Sequence, residues 1–293
     1  MMNKYAYATL GTALLCSAQS VSALIINFDY SYDTSSFFTA ERRNILESAG
    51  NQITYRINDN LGAINSNGRN QFDAIFTAPD GSGQTTISGT NINADTMTIY
   101  VGAQAFAGNT LAQAGPGGFS YSGSIDPNRG QGTTFGPDAT DFGPWGGSMS
   151  FNETTRWYFD NDTSTLESFS GNDFYSVALH ELGHVFGIGT ADSWSNLISS
   201  DGLFTGANSS ALFGSDIALD NASHWANGTS YNGQEASMTA SITSGTRKEF
   251  TELDYAALSD IGWEIKPVPV PPALFLFASG LLGLIGISRK KNR

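Results

Sequence analysis

Only three histidines occur in this chain of 293 residues, and two of them stand four apart in His180-Glu181-Leu182-Gly183-His184. Residues i and i+4 of an α-helix lie one above the other about 6 Å apart, so two such imidazoles can bind one Zn2+ while the Glu between them projects beside the metal. The motif therefore demands a helix, and its neighbours supply one. Ala178, Leu179, Leu182, Val185 and Phe186 cover the opposite face, which gives a dry side for a core and a polar side for a cleft. The spacing predicts a helix from about Asp173 to Phe186. Gly187, three residues past His184, would stop it and let the chain turn back toward the metal. The same five-residue pattern arises by chance in proteins without zinc, but the scarcity of His and the amphipathic setting weigh against chance here.

Charge narrows the partners. There are 27 Asp+Glu against 14 Lys+Arg, a formal net of -13. Lys4, Arg289, Lys290, Lys291 and Arg293 lie outside every acidic residue, so the nine remaining cations leave the middle at -18. Such a surface repels nucleic acid and anionic headgroups, and a nucleic-acid-binding role is excluded on that ground. The single Cys16 lies in the N-terminal apolar run, so no disulfide can staple the body of the fold.

Both ends read as addresses. Residues 1–23 carry Lys4, an apolar stretch from Ala6 to Cys16, and Val21-Ser22-Ala23, which predicts a signal peptide cleaved by signal peptidase after Ala23. Leu15 stands where lipoprotein processing at Cys16 would need a small residue. Residues 266–272, Lys-Pro-Val-Pro-Val-Pro-Pro, form a stiff extended linker. The 15 residues from Ala273 to Ile287 are apolar and, at about 1.5 Å per residue, reach about 22 Å, short of a bilayer core near 30 Å. The basic end that follows marks a cytoplasmic side. Residues 273–293 are thus expected to act as a sorting or membrane-anchor segment. This tail resembles the PEP-CTERM sorting signals of Gram-negative bacteria, although it lacks their Glu between the prolines. The resemblance implies an exosortase as a partner during export, a transient inner-membrane tether, and a final place at the cell surface or outside the cell. The plainer alternative is a single-pass C-terminal anchor.

One domain is expected over 24–265. Leu24–Phe28 reads as a strand, Ser36–Ala49 as a helix stopped by Gly50, Ile53–Ile57 as an alternating strand and Thr96–Ala105 as a stronger one. Loops are expected over 58–70 and 106–146, then a pair of strands at Ser148–Phe151 and Arg156–Phe159. Thr251 with Asp254 three residues on makes a capping-box start for a last helix, with Leu253, Ala257, Leu258 and Ile261 as its apolar stripe and Gly262 as its stop.

With its Gly at 187, the motif resembles the metzincin metallopeptidases, whose pattern is HExxHxxGxxH. Thr190 occupies the place of their third His. His224, in Asn221-Ala-Ser-His-Trp225, is the natural substitute, as in leishmanolysin-type members, which set the third His far downstream; Asp192 and Glu235 are its rivals. Met238 is the only Met after the motif and suits a Met-turn, the tight turn whose Met packs under the metal. Trp145–Trp157 is similar to the strand and turn that precede the active helix in matrixins, which would make Gly147–Phe151 an edge strand pairing with substrate backbone.

The resemblance implies an α+β fold, a twisted mixed β-sheet with an active-site helix and a C-terminal helix. It implies a metalloendopeptidase with one catalytic Zn2+ on His180, His184 and His224, the fourth position left to water, and Glu181 as the general base. The substrate would be a protein or peptide. The Tyr that ligates zinc after the Met-turn in some relatives has no counterpart, and no room is seen for an inhibitory prodomain. The rival reading is a non-catalytic surface or biofilm-matrix protein stabilised by zinc. Asp160-Asn161-Asp162 could ligate Ca2+, although its spacing matches no defined loop and a solvated turn reads better.

Overall fold

The computed structural model describes residues 24–160, 162–165 and 167–267. The expected signal peptide, most of the Pro-rich linker and the C-terminal apolar segment lie outside them. Among the described residues no helix is long and apolar enough to cross a membrane.

The fold is mixed α+β. In chain order its first half holds β1 (Ile25–Asp29), α1 (Ala40–Arg56), β2 (Gln71–Ala78), β3 (Gly83–Ile87), β4 (Thr96–Gln104), β5 (Ala112–Pro116), β6 (Gly118–Ser122) and β7 (Gly146–Asn152). The second half holds β8 (Trp157–Tyr158), β9 (Asn172–Asp173), α2 (Phe174–Val185), α3 (Asp192–Ser195), β10 (Leu203–Phe204), α4 (Ala207–Phe213), β11 (Ile217–Asn221), β12 (His224–Trp225), β13 (Ser230–Tyr231), β14 (Gln234–Glu235) and α5 (Glu252–Asp260). Four strands form the main sheet in the order β1-β4-β7-β5. The first three run parallel and β5 antiparallel on the outer edge. The inner strands β4 and β7 are buried along nearly their whole length, β4 with an apolar run and β7 with small residues around Met149 and Phe151.

Helices α1 and α2 pack against the sheet and each other. Leu46, Ala49 and Ile53 of α1, Ile99 and Val101 of β4, Met149 and Phe151 of β7, and Phe174, Ala178 and Leu182 of α2 are fully buried in one core. A second, aromatic core lies beneath the antiparallel β3-β2-β6 sheet, where Phe76 stacks on Tyr100 with ring centroids 4.2 Å apart beside Trp145.

Three expectations are corrected. Gly50 does not stop α1, and Ile53–Ile57 is no strand: Ile45, Leu46, Ala49 and Ile53 are one buried helical stripe, so packing outweighs the ~1 kcal/mol that Gly costs inside a helix. A Cβ at Gly50 would lie 3.2 Å from the Phe28 ring, so the glycine lets helix and strand approach. The segment 106–146 is not all loop, since it contains β5 and β6. Finally, Gly147–Phe151 is not an edge: β7 lies between β4 and β5, and β8 pairs in parallel with β9 rather than with β7.

The entrance to α2 is pinned by charge. Asp173 caps the helix through Ser176 N, and Arg247 grips the Asp173 carboxylate by two bonds of 2.8 and 2.9 Å while also lying 2.9 Å from Asp160 as an ion pair without hydrogen-bond alignment. All three side chains are buried. Removing the cation strands two carboxylates, so Arg247→Met is expected to cost about 3 kcal/mol or more, read as a melting-temperature drop of roughly 6–12 °C for a domain of this size. A drop under 2 °C would contradict that account.

Where the chain leaves the domain, Gln131 Nε2 donates to both Asp59, at 3.1 Å, and Glu264, at 3.2 Å. Burial and the Asp59 carboxyl beside it push Glu264 up to about 7. A carboxyl raised above its unfolded value stabilises fully below that value, near 4.3, and the contribution is lost as pH rises through about 7. Melting temperatures of wild type and Glu264→Gln are therefore expected to diverge between pH 4.5 and 7, the wild type losing relative stability as pH rises. Parallel profiles would refute it.

Candidate metal centre

Helix α2 sets two ligands on one face. Its apolar side, Ala178, Leu179, Leu182 and Val185, is wholly buried, which fixes the rotation of the helix and turns His180, Glu181 and His184 toward the cleft. The third histidine arrives on β12, folded back against β11 with His224 opposite Asn221 across a bulge. The next residue anchors it. Trp225 is fully buried against Trp194 and Phe204, and its Nε1 donates to Asp254.

The three rings meet at their Nε2 atoms, separated by 3.2, 3.2 and 3.1 Å. The tautomers follow from the other nitrogens. His180 Nδ1 lies 2.8 Å from Ser237 O, His184 Nδ1 2.8 Å from Ile188 O, and His224 Nδ1 3.0 Å from Asn221 Oδ1, an oxygen that also accepts from Ser223 N. Each partner is an acceptor, so each ring carries its proton on Nδ1 and turns a bare Nε2 lone pair inward. Burial pushes all three imidazoles below their ordinary range, His184 to about 4, which opposes relief by protonation. Three mutually facing lone pairs on neutral rings are what a cation requires. In a tetrahedral zinc site with bonds of about 2.0–2.1 Å the ligand nitrogens stand about 3.3 Å apart, close to the separations found. The donor set thus fits Zn2+, and the acceptors on the far nitrogens are the orienting partners that metal-binding histidines use.

Glu181 stands buried on the same helix with no partner charge, and burial pushes its carboxyl up to about 8. All four residues line a cleft of about 1170 Å3. Edge strand β5 contributes its whole length to the wall, and so does Thr239–Ile242, the segment after Met238.

The rivals for the third position are engaged elsewhere. Asp192 opens α3 and accepts from Gly136 N at 2.6 Å, and Glu235 pairs with Lys248 at 3.2 Å. Thr190, at the spacing where a third His would stand, donates to His184 O at 2.7 Å. Among the described residues His180, His184 and His224 are the grouping with ligand spacing. Asp160 and Asp162 do not converge: the first faces Arg247 and the second accepts from Ser164, while Asn161 lies outside the described residues.

Met238 is fully buried beneath α2. A Cβ at Gly183 would sit 2.3 Å from its sulfur, so the glycine inside the motif gives Met238 its place. Gly187 has φ +104°, the left-handed conformation that ends the helix and brings Ile188 O round to His184.

One residue of the site was read from the sequence only as a helix cap. Asp254 is completely buried, and its carboxylate accepts from Trp225 Nε1 (3.0 Å), Ser237 N (3.0 Å), Met238 N (3.3 Å), Thr251 N (2.8 Å) and Thr251 Oγ1 (2.8 Å). Four of these five are N–H groups that can only donate. They hold the ionised form against the burial that raises its pKa. Through them Asp254 ties α5 to the segment carrying Met238, to the peptide whose carbonyl orients His180, and to the neighbour of His224. No protein-family model, curated protein sequence or solved structure matches the chain.

Replacing Asp254 with Ala orphans four buried donors, and a loss of about 3–5 kcal/mol in urea unfolding is expected. Asp254→Asn, which keeps one acceptor oxygen, is expected to lose less. Equal and small losses in both would show that the carboxylate does not hold the site.

Proposed function

We propose that this chain is a zinc-dependent metalloendopeptidase of metzincin type, exported and sorted to the cell surface or beyond. The observation that carries the reading is the convergence of three neutral, pre-oriented imidazole nitrogens beside an unpaired buried carboxyl in an open cleft. A purely structural zinc site closes its tetrahedron with a fourth protein ligand. Here the described residues offer three, and the fourth direction opens on the cleft. That favours catalysis over a zinc-stabilised surface protein.

Zn2+ held by His180, His184 and His224 would supply Lewis-acid polarisation of a substrate carbonyl and a water whose pKa falls from about 15.7 toward about 7. Glu181 takes a proton from the attacking water on a carboxyl oxygen and later delivers it to the leaving amine nitrogen. Glu181 is buried on the cleft wall with no cation paired to it, which leaves its carboxyl free for that transfer. Burial keeps His180, His184 and His224 neutral, and the fixed acceptors on Nδ1 keep each Nε2 lone pair turned inward.

Substrate backbone is held by β5 rather than β7. As the antiparallel outer edge of the sheet, Ala112–Pro116 leaves main-chain groups free along the cleft, and an extended peptide can add there as a further strand. Small side chains on β5 leave room for that approach.

Purified residues 24–265 are expected to hold one zinc per chain and to cleave casein. Glu181→Gln should retain zinc and lose about 10²–10⁴ in kcat, and His224→Ala should lose zinc outright. Zinc retained in His224→Ala, or hydrolysis unchanged in Glu181→Gln, would sink the assignment.

A further inference from the structure

The cleft is electrostatically unlike the rest of the chain. In a body carrying 27 acidic residues, Glu181 is the one carboxylate that the described residues place on its wall, whereas two of the cations, Arg156 and Lys248, stand there. Their states differ. Lys248 is buried and spends its ammonium on Glu235, Thr239 Oγ1 and Ser241 O, so it braces the wall segment after Met238. Arg156 is exposed, donates from Nη2 to Ser170 Oγ at 2.8 Å, and has no carboxylate at ion-pair distance among the described residues.

We propose that Arg156 is a specificity-determining residue that selects peptide segments carrying an acidic side chain near the scissile bond. The proposal deepens the peptidase reading and rests on it. Its backbone fixes its place: Arg156 O accepts from Asn172 N at 3.0 Å, which holds it beside the start of α2. From Asn172 to His180 are two extended residues and then six of helix, about 15 Å. An extended peptide advances about 3.3 Å per residue, so the guanidinium addresses a side chain about four or five residues from the reacting carbonyl, on one side of it. A guanidinium meets a carboxylate through two parallel bonds, and no competing acid in the wall stands ready to take them. Against the -18 of the body, which repels acidic peptides, the unpaired guanidinium of Arg156 is a local point of attraction on the cleft wall.

The test uses three peptides identical except for Glu, Gln or Lys at the first five positions on either side of the cleaved bond. Affinity is measured by fluorescence anisotropy on zinc-loaded Glu181→Ala, and kcat/KM on the active chain, each with Arg156, Arg156→Gln, Arg156→Lys and Arg156→Glu. With Arg156, Glu on one side is expected to be favoured over Lys by roughly three- to tenfold, carried by KM. Gln at 156 should abolish the ratio, Lys restore part of it and Glu invert it. A Glu/Lys ratio near one in both measurements, or one indifferent to residue 156, overturns the proposal. Charge-dependent binding without cleavage of any peptide would support the subsite and refute the peptidase reading, so the two fail separately.

Discussion

A single buried carboxylate, that of Asp254, holds together the segments that frame the three-histidine site: the start of α5, residues 237–238 and Trp225. Its two oxygens receive donors from α5, from the segment leading to Met238 and from the indole beside His224. Fully buried negative charge is tolerable only when hydrogen bonds replace the water it gave up, and here five are supplied. The consequence reaches the three-histidine face, because Ser237, bonded to Asp254 by its N–H, presents its own carbonyl to His180. A contact made for helix capping therefore also orients an imidazole of the candidate site.

Around that anchor the site is assembled from rigid pieces. The buried stripe of α2 sets the rotation of His180 and His184, the packing of Trp225 against Trp194 and Phe204 sets the approach of His224, and three acceptors set the tautomers. Glycine matters where backbone must yield to sulfur: Gly183 leaves the space that Met238 fills. Preorganisation of this kind places three lone pairs together before any ion arrives, and its energetic cost is met by the surrounding core.

Much of the site was legible in the chain because it is local. The i, i+4 spacing of His180 and His184, the apolar face opposite them, the stop at Gly187 and the Thr251–Asp254 capping box are all features of a few neighbouring residues, and helix geometry alone converts them into positions. The elements that were misread were those where local signals conflict with packing. Gly50 looks like a stop in isolation, yet Ile53 continues a buried stripe that only the sheet beneath can reward. β5 has no bulky apolar side chain and β6 alternates only over Phe119 and Tyr121 within a Gly-rich stretch, so strand pairing with β7 and β2 had to reveal them.

The sequence by itself determined that a helix would carry two imidazoles and a carboxylate on one polar face, that its single Cys16 leaves the body without an internal disulfide, and that His224 was a candidate to join them. Only the tertiary structure decided that His224 rather than Asp192 or Glu235 meets the other two, that β5 rather than β7 is the sheet edge at the cleft, and that Asp254 serves two roles at once. The physical reason is separation. His224 lies forty residues beyond His184, and the energy that brings them together resides in Trp225, Met238 and Asp254 packing as one body, a contact that no window of neighbouring residues contains.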